Sequence, residues 1–212
     1  MALSRNGPIP GGRTALIIID MQHYCATPGR GLHANVSADH HDYEYFFSRL
    51  ASTTIPGIQR LLAAFRSKKA DVIFTYIESL TNDCRDQSLD YKLSGFGVPK
   101  GHPDAAVLDD LKPRDDEIQI PKTSCSVFIS TNIAYVLRNL GVSNVVITGI
   151  LTNQCVESAV RDAADTGFIV TVPEDACAAQ RDSDHEQSLK NLRGFARVCT
   201  SEELVQETQT WQ

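Results

Sequence analysis

Residues 145–164 decide the fold, and they read Val145-Val-Ile-Thr-Gly-Ile-Leu-Thr-Asn-Gln-Cys155-Val-Glu-Ser-Ala-Val-Arg-Asp-Ala-Ala164. The stretch begins with a continuous apolar run, Val145 to Thr148. This run lacks the alternation of a half-exposed strand and therefore predicts a strand buried on both faces. From Cys155 onward apolar residues recur at helical spacing, and Gly167 follows as the expected stop. A buried strand that leads through a short turn into an amphipathic helix is the repeating unit of α/β folds.

The same pattern recurs on both sides of this stretch. Further strands are predicted at Thr14–Ile19, Val72–Ile77, Glu117–Ile120, Phe168–Val172 and Arg197–Thr200. Helical spacing lies between them, at Ile58–Phe65, Ile129–Leu140, Leu189–Phe195 and from Ser201 onward. Strands that alternate with helices predict a three-layer α/β fold with a mostly parallel sheet of about six strands. No linker divides the chain, so we expect residues 1–212 to form a single domain.

The composition narrows the class of protein. The chain has 212 residues, of which 42% are hydrophobic and 22% charged, a balance typical of globular domains rather than disordered chains. Its net charge of −6 disfavours nucleic-acid and membrane-surface partners. No apolar run reaches the length of a membrane span, and the first residues lack a signal-peptide pattern, so we expect a cytoplasmic protein. Its six widely spaced cysteines are interpreted as reduced, mostly buried thiols.

Three reactive side chains follow three of the predicted strands. Asp20 comes directly after the first strand, Lys122 follows the Ile118–Ile120 run, and Cys155 begins the helix of the opening stretch. Because the carboxyl ends of parallel strands meet at one edge of a sheet, we expect the three groups to lie together. A helix N-terminus and a nearby ammonium favour the thiolate form of cysteine, and a carboxylate can accept the thiol proton. This set predicts acyl transfer to a cysteine, followed by hydrolysis.

The segments around these residues carry a family resemblance. Leu16-Ile-Ile-Ile-Asp-Met-Gln22, Pro121-Lys-Thr-Ser124 and Thr148–Ala164 resemble the isochorismatase-like cysteine hydrolases. The resemblance implies a Rossmann-like sheet and a catalytic triad of Asp20, Lys122 and Cys155. It also implies a cis peptide bond before Leu151, with the N–H groups of Leu151 and Cys155 forming the oxyanion hole. Assembly as a dimer or tetramer is a further implication.

The family contains several chemistries, and the sequence leaves three functions open. The stretch Arg85–Lys92 resembles ureidoacrylate and biuret hydrolases, which favours hydrolysis of a C–N bond in a small amide or ureido substrate. The alternative is cleavage of the vinyl ether of isochorismate to release pyruvate. A non-enzymatic binding protein is disfavoured by the intact triad. The Asp-x-His…His metal site of nicotinamidases is not reproduced by His40, His41 and His102, so we expect neither a metal nor another cofactor.

A second group of residues is predicted from position along the chain. Side chains near the strand ends are the substrate-binding candidates, namely Tyr24, Glu78, Asn82, Phe128 and Gln154. Glu157 and Arg161 are one helical turn apart, and we interpret them as a stabilising ion pair rather than as catalytic groups. For Cys25 and Cys125 we favour packing over lining the pocket.

Overall fold

A parallel sheet forms the middle layer of the molecule. The computed structural model describes residues 4–37 and 40–211. Within those residues the sheet contains β1 (Thr14–Ile19), β2 (Val72–Ile77), β3 (Ile118–Lys122), β4 (Asn144–Ile150), β5 (Ile169–Pro173), β6 (Cys177–Ala178) and β7 (Ala196–Cys199). The predicted α/β fold is confirmed, and each predicted apolar run is a strand or overlaps one. The seventh strand, β6, has two residues and is too short to leave a sequence pattern.

The strand order explains where a site can form. The order is β3-β2-β1-β4-β5-β7, with β6 paired to β4, and all of these pairs are parallel. From β1, the chain adds β2 and β3 on one side of the sheet. It then returns to the other side of β1 and adds β4, β5 and β7 there. Loops that leave β1 and β4 diverge to opposite sides. A crevice opens at the carboxyl ends of strands where the order reverses in this way.

Helices cover both faces of the sheet. They are α1 (His23–Ala26), α2 (Glu44–Arg49), α3 (Ile55–Ser67), α4 (Leu89–Ser94), α5 (Val127–Ser130), α6 (Ile133–Asn139), α7 (Glu157–Asp165), α8 (Asp182–Leu192) and α9 (Ser201–Gln209). π-Helical turns precede α3 and α7. The short helices α1 and α4 lie in stretches that show no clear periodicity in the sequence. None of the helices in the described part of the chain is long and apolar enough to cross a membrane.

The helix predicted over Ile129–Leu140 is two helices in the structure. The break falls between α5 and α6 at Thr131, whose hydroxyl donates to the carbonyl of Val127 at 2.6 Å and accepts the N–H of Ile133 at 3.1 Å. A threonine side chain that bonds to nearby backbone groups competes with the helical ladder. Apolar spacing continues across the break, which is why periodicity alone predicted one helix.

The core consists of two apolar layers, one on each face of the sheet. On one face, Leu16 and Ile18 of β1 pack in a cluster that includes Phe65 of α3. On the other face, Ile17 and Ile19 pack in a second cluster, which includes Val160 of α7. Successive side chains of a strand point to opposite faces, so a central strand in a three-layer fold needs apolar residues throughout. This requirement accounts for the unbroken apolar runs of the sequence.

Gly149 allows β1 and β4 to approach closely near their carboxyl ends. It has a φ of 109°, and a Cβ atom at this position would overlap the backbone carbonyl oxygen of Ile19. A side chain is therefore excluded both by the left-handed conformation and by the neighbouring strand. The glycine brings the backbones that carry Asp20 and Cys155 together.

Candidate active site

The candidate site lies at the carboxyl edge of the sheet, in the crevice between β1 and β4. A cavity of about 220 Å³ opens there, and its lining includes Asp20, Leu151, Gln154 and Cys155. The apolar side chains of Leu32, Ile77 and Phe96 line it as well. The reactive groups therefore face a small, largely apolar chamber, which is the usual character of a ligand site.

Asp20 is held by the turn that follows β1. Its φ is 54°, a left-handed conformation that aspartate tolerates better than most residues. Its N–H donates to the carbonyl of Thr75 at 2.9 Å, and its own carbonyl accepts the N–H of Gln22 at 2.8 Å. The Gln22 side chain in turn exchanges hydrogen bonds with both backbone groups of Ile77. These contacts fix the carboxylate against the end of β2, and only 1% of the residue is exposed.

Lys122 connects the carboxylate to the thiol. It is the last residue of β3, and its side chain is fully buried. Its Nζ atom lies 3.0 Å from Asp20 Oδ2 and 3.4 Å from Cys155 Sγ. It also donates to Tyr91 Oη at 2.8 Å and to the Ser124 carbonyl at 2.9 Å. A buried ammonium needs a counter-ion and hydrogen-bond acceptors, and Lys122 has both.

Cys155 lies in the π-helical turn Thr152–Val156 rather than in the first turn of a regular helix. Its Sγ atom is 3.8 Å from Tyr91 Oη and 3.9 Å from Cys125 Sγ. The sequence led us to expect a lowered pKa at this thiol. Instead, the hydrogen bond with Cys125 and burial raise the pKa of Cys155, and the opposing effect of Lys122 does not overcome them. The thiol of Cys155 is therefore protonated at neutral pH.

The charges of the site are strongly coupled. Burial raises the pKa of Asp20 well above its usual value, and the nearby Cys155 adds to this, although Lys122 acts in the opposite direction. Burial alone would lower the pKa of Lys122, but Asp20, Cys155 and Tyr91 raise it well above its ordinary value. Lys122 thus stays charged, and Asp20 and Cys155, whose pKa values are both raised, titrate as a coupled pair. In such a pair the carboxylate can accept the thiol proton.

Side chains of α8 and α2 hold the turn that carries Cys155 through hydrogen bonds. Arg49 donates to His185 Nε2 at 2.7 Å, so this nitrogen is the acceptor and Nδ1 carries the proton. His185 Nδ1 then donates to Thr152 Oγ1 at 2.8 Å. Ser188 donates to the Thr152 carbonyl at 3.0 Å. The hydroxyl and the carbonyl of Thr152 are therefore both held by α8, which fixes the beginning of the turn.

The backbone around Leu151 contains the cis peptide bond that the resemblance implies, between Ile150 and Leu151. The Leu151 carbonyl accepts the N–H groups of Gln154 at 3.0 Å and Val156 at 3.2 Å. Leu151 and Cys155 both line the cavity. Binding of an oxyanion by their N–H groups remains a prediction.

The predicted substrate-binding residues have different positions in the structure. Gln154 lines the cavity, whereas Tyr24, Glu78, Asn82 and Phe128 are not among the described residues that do. Tyr24 Oη accepts the N–H of Gly97 at 3.0 Å, and Glu78 Oε1 accepts the N–H of Gly101 at 2.7 Å. Asn82 is exposed. Phe128 packs against Phe168 in the second core cluster, with ring centroids 6.0 Å apart. A role for any of the five in binding substrate remains a prediction.

Several side chains of the site were not predicted from the sequence. Tyr91 on α4 lines the cavity and accepts the Lys122 hydrogen bond. His33, Tyr43 and Gln180 also line it. Cys125, interpreted from the sequence as a packing residue, contacts the thiol of Cys155. Cys125 lies close to Lys122 in the sequence, but packing was the favoured interpretation. The others come from loops and short helices without strong periodicity, so no sequence pattern joined them to the strand ends.

The remaining sequence-based interpretations concern ion pairs, thiols and metals. Glu157 and Arg161 form the expected pair, with Oε1 and Nη2 2.7 Å apart. All six cysteines are free, although Cys25 lines the cavity instead of only packing. Among residues 4–37 and 40–211 there is no group of three or more His, Cys, Asp or Glu side chains placed to hold a metal ion.

Sequence comparison finds relatives for most of the chain. A sequence model of the isochorismatase domain matches residues 14–203. The ureidoacrylate amidohydrolase RutB of Agrobacterium fabrum is 32% identical over 179 residues, which cover 77% of this chain and 75% of the relative. The protein of the same name from Caulobacter vibrioides is 31% identical over 205 residues, 89% of this chain and 87% of the relative.

Solved structures show the same architecture. A cysteine hydrolase from Pseudomonas syringae pv. phaseolicola superposes with a TM-score of 0.81 at 25% identity, covering 96% of each chain. The N-carbamoylsarcosine amidase of Thermoplasma acidophilum superposes with a TM-score of 0.70 at 23% identity, covering 90% of this chain and 97% of the neighbour. The second likeness concerns the fold alone.

Proposed function

This chain belongs to the isochorismatase family, and we propose that it hydrolyses an amide or ureido C–N bond of a small substrate through an acyl intermediate on Cys155. The observation that carries the proposal is the contact of one buried ammonium with a carboxylate and a thiol. Lys122 Nζ lies 3.0 Å from Asp20 Oδ2 and 3.4 Å from Cys155 Sγ. This arrangement supplies a nucleophile, a base and a fixed positive charge at the wall of one cavity.

In the first half of the reaction Asp20 accepts the thiol proton and Cys155 Sγ attacks the carbonyl carbon. The developing oxyanion receives hydrogen bonds from the N–H groups of Leu151 and Cys155. Collapse of the tetrahedral intermediate breaks the C–N bond, and the Asp20 carboxylic acid gives its proton to the leaving nitrogen. The nitrogen departs as ammonia or an amine, and the acyl or carbamoyl group stays on sulfur.

In the second half Asp20, again a carboxylate, accepts a proton from water. The hydroxide oxygen attacks the thioester carbon, the C–S bond breaks, and the proton returns to sulfur. Lys122 keeps its proton throughout, because Asp20 and the other acceptors raise its pKa. Its role is to stabilise the anionic forms of Asp20 and Cys155 and to hold them in place.

Relatives and cavity size support a small ureido compound as the substrate class. The two relatives described above, 32% and 31% identical to this chain, are named ureidoacrylate amidohydrolases. A cavity of about 220 Å³ suits a molecule of roughly a dozen heavy atoms. The vinyl-ether cleavage of isochorismate is not favoured, because that bond requires protonation at carbon and offers no carbonyl to a thiolate.

The test combines a substrate panel with mass spectrometry of the intact protein. Biuret, a ureidoacrylate analogue, an N-carbamoyl amino acid, nicotinamide and isochorismate are scored for ammonia and for pyruvate. We expect ammonia from a ureido compound and an adduct mapped to Cys155 with a slow substrate. Cys155→Ala loses turnover by several orders of magnitude, whereas Cys84→Ser, a change at a half-buried thiol outside the site, keeps it. The proposal is refuted if no amide forms an adduct with wild type and Cys155→Ala still releases pyruvate from isochorismate.

We further propose that the protein forms a homo-oligomer. Leu89 and Leu93 are 71% and 79% exposed and lie one turn apart on α4, and contiguous exposed apolar side chains are typical of contact surfaces. Size-exclusion chromatography with light scattering should give a dimer or tetramer. Leu93→Lys should shift the population toward monomer, and a wild-type monomer at micromolar concentration contradicts the proposal.

A cytoplasmic location is proposed from the chemistry. The mechanism needs a free thiol at Cys155, and all six cysteines are free. Thiols are kept reduced in the cytosol. Fractionation of cells that express the chain should recover it with cytosolic markers, and recovery from the medium or an oxidising compartment argues against this assignment.

A further inference from the structure

A second thiol lies beside the nucleophile, and the mechanism does not use it. Cys125 Sγ is 3.9 Å from Cys155 Sγ and 3.4 Å from Ser158 Oγ. Two sulfur atoms at this separation are in van der Waals contact. A disulfide needs them at about 2 Å, so the two side chains must move toward each other to form the bond.

The two thiols face different openings of the protein. Cys155 lines the active-site cavity, whereas Cys125 lines a surface cavity of about 440 Å³ together with Ser88, Ser126 and Arg161. Cys125 is half-buried, and Cys155 is 8% exposed. A small oxidant or reductant can therefore reach Cys125 without passing through the substrate cavity.

The electrostatic surroundings favour reaction at Cys125 first. The hydrogen bond with Cys155, together with Ser158 and Lys122, lowers the pKa of the Cys125 thiol to about 6, although burial opposes this. Peroxides react with thiolates rather than thiols. Cys125 is thus the thiol of the pair that an oxidant reaches from the surface, and its lowered pKa favours the thiolate.

We propose that Cys125 and Cys155 form a reversible, peroxide-driven disulfide that inactivates the enzyme. The Cys125 thiolate attacks hydrogen peroxide, the O–O bond breaks, and the departing hydroxide takes a proton to leave as water. Cys125 is then a sulfenic acid. Cys155 sulfur attacks the Cys125 sulfur, the S–O bond breaks, and its oxygen leaves as a second water. Two thiols are oxidised to one disulfide, and one peroxide is reduced to two waters.

Reduction proceeds by thiol–disulfide exchange through the same surface cavity. A low-molecular-weight thiol attacks Cys125 sulfur, and Cys155 leaves as a thiolate beside the Lys122 ammonium, 3.4 Å away. A second thiol then frees Cys125 by exchange. The disulfide also protects Cys155, because a sulfur in a disulfide does not progress to the irreversible sulfinic and sulfonic acids.

The experiment uses the full-length protein and hydrogen peroxide. Wild type, Cys125→Ser and the matched control Cys84→Ser are oxidised, quenched with catalase, denatured and alkylated. Intact mass then counts the alkylated thiols, and peptide mapping identifies any cross-link. We expect wild type and Cys84→Ser each to lose two alkylation sites and to yield a peptide that joins Cys125 to Cys155. Activity should return with dithiothreitol.

Cys125→Ser should yield no such cross-link, and its inactivation should become irreversible as Cys155 gains two or three oxygen atoms. A cross-link between Cys155 and Cys25 in wild type overturns the proposal. Formation of sulfinic acid at Cys155 at the same rate in wild type and in Cys125→Ser also overturns it. So does wild type that keeps all six thiols while losing activity. The mass of oxidised wild type decides the question even if Cys125→Ser does not fold, and Cys125→Ala provides a second comparison.

Discussion

At the scale of single residues, the Tyr91 hydroxyl is the shortest hydrogen-bond contact of the Lys122 ammonium, at 2.8 Å. Because Lys122 is the donor there, the Tyr91 proton is free to point toward Cys155 Sγ, 3.8 Å away. Burial raises the pKa of Tyr91, which keeps the hydroxyl protonated. The side chain therefore positions Lys122 and contacts the reacting sulfur at the same time.

Tyr91→Phe should lower kcat about tenfold with little change in KM, since the loss of one hydrogen bond to a charged group is worth about 1.5 kcal/mol. Tyr91 helps to raise the pKa of Lys122. The alkaline limb of the pH–rate profile should therefore move to lower pH in the variant. Tyr45→Phe is the matched control, because it removes a hydroxyl that donates to Asp182 Oδ1, and Tyr45 does not line the cavity. Equal effects of the two variants would show that Tyr91 acts only through packing.

The raised pKa of Asp20 predicts the acid limb of the same profile. Asp20 must be ionised to accept the thiol proton, and burial raises its pKa well above the ordinary value of 3.8. As pH falls, kcat/KM should decline while the solution is still well above that value. The measurement is kcat/KM against pH, with circular dichroism at each pH to exclude unfolding. Constant activity down to the ordinary aspartate range contradicts the assignment of Asp20 as the base.

At the scale of elements, the strands were the most predictable part of the fold. β1 and β2 begin and end at the residues that their apolar runs indicate, because strands buried on both faces are apolar at every position. The helix pattern over Ile129–Leu140 was misleading, because a single threonine hydroxyl interrupts the ladder without changing apolar spacing. Burial constrains residue type along a whole strand, whereas a helix break depends on one hydrogen bond.

The same difference applies to the site. Asp20, Lys122 and Cys155 were predictable because parallel strands bring their carboxyl ends to one edge, whatever the loops do. Tyr91 and Cys125 were not predictable in these roles. Tyr91 lies on a helix of six residues, and its contact with Lys122 depends on how a long loop folds back over β3. The raised pKa of Cys155 also depends on a tertiary neighbour, Cys125, rather than on the turn that carries it.

His185 on α8 makes the turn that carries Cys155 sensitive to acid. Burial and Arg49 lower the pKa of His185 from 6.5 to about 4. Between these values the unfolded chain binds a proton that the folded chain does not. Stability should therefore fall as pH decreases from 6.5 to about 4 and lose this dependence below that range.

His185→Gln should flatten this part of the stability profile, because glutamine does not titrate. Urea unfolding of wild type and variant across the range measures the effect. His41→Gln is the control, since the side chain of His41 is 98% exposed. If the free energy of unfolding changes with pH equally in wild type and in His185→Gln, other groups cause the acid sensitivity.

At the scale of the whole molecule, Trp211 ties the two ends of the described chain to the core. Its indole N–H donates to the carbonyl of Ile9 at 2.9 Å, and its ring packs edge-on against Phe65 with centroids 5.3 Å apart. Lys68 at the end of α3 donates to its carbonyl at 2.7 Å. One side chain therefore joins the segment before β1, the segment after α9 and the first core cluster.

Trp211→Ala should lower the free energy of unfolding by about 3–5 kcal/mol, the range for removal of a large buried aromatic side chain. Activity per folded molecule should be unchanged at low temperature, because Trp211 does not line the active-site cavity. Thermal and urea denaturation measure the first effect, and the folded fraction from circular dichroism at the assay temperature normalises the second. Tyr135→Ala, at an aromatic residue that is 66% exposed, is the control. If the free energy of unfolding of Trp211→Ala lies within about 1 kcal/mol of that of the control, Trp211 is not needed to attach the chain ends to the core.

The complete burial of Lys122 restricts how this sequence can change over evolutionary time. A descendant that loses Asp20 alone retains an ammonium without its counter-ion in the core, which costs about 3–5 kcal/mol, a large part of the margin of a typical domain. The two positions are therefore expected to change together or not at all. Cys155, an uncharged thiol at rest, carries no such constraint, and Ser or Ala can replace it while the fold persists. Inactive descendants of this lineage should first show a substituted cysteine next to an intact aspartate and lysine.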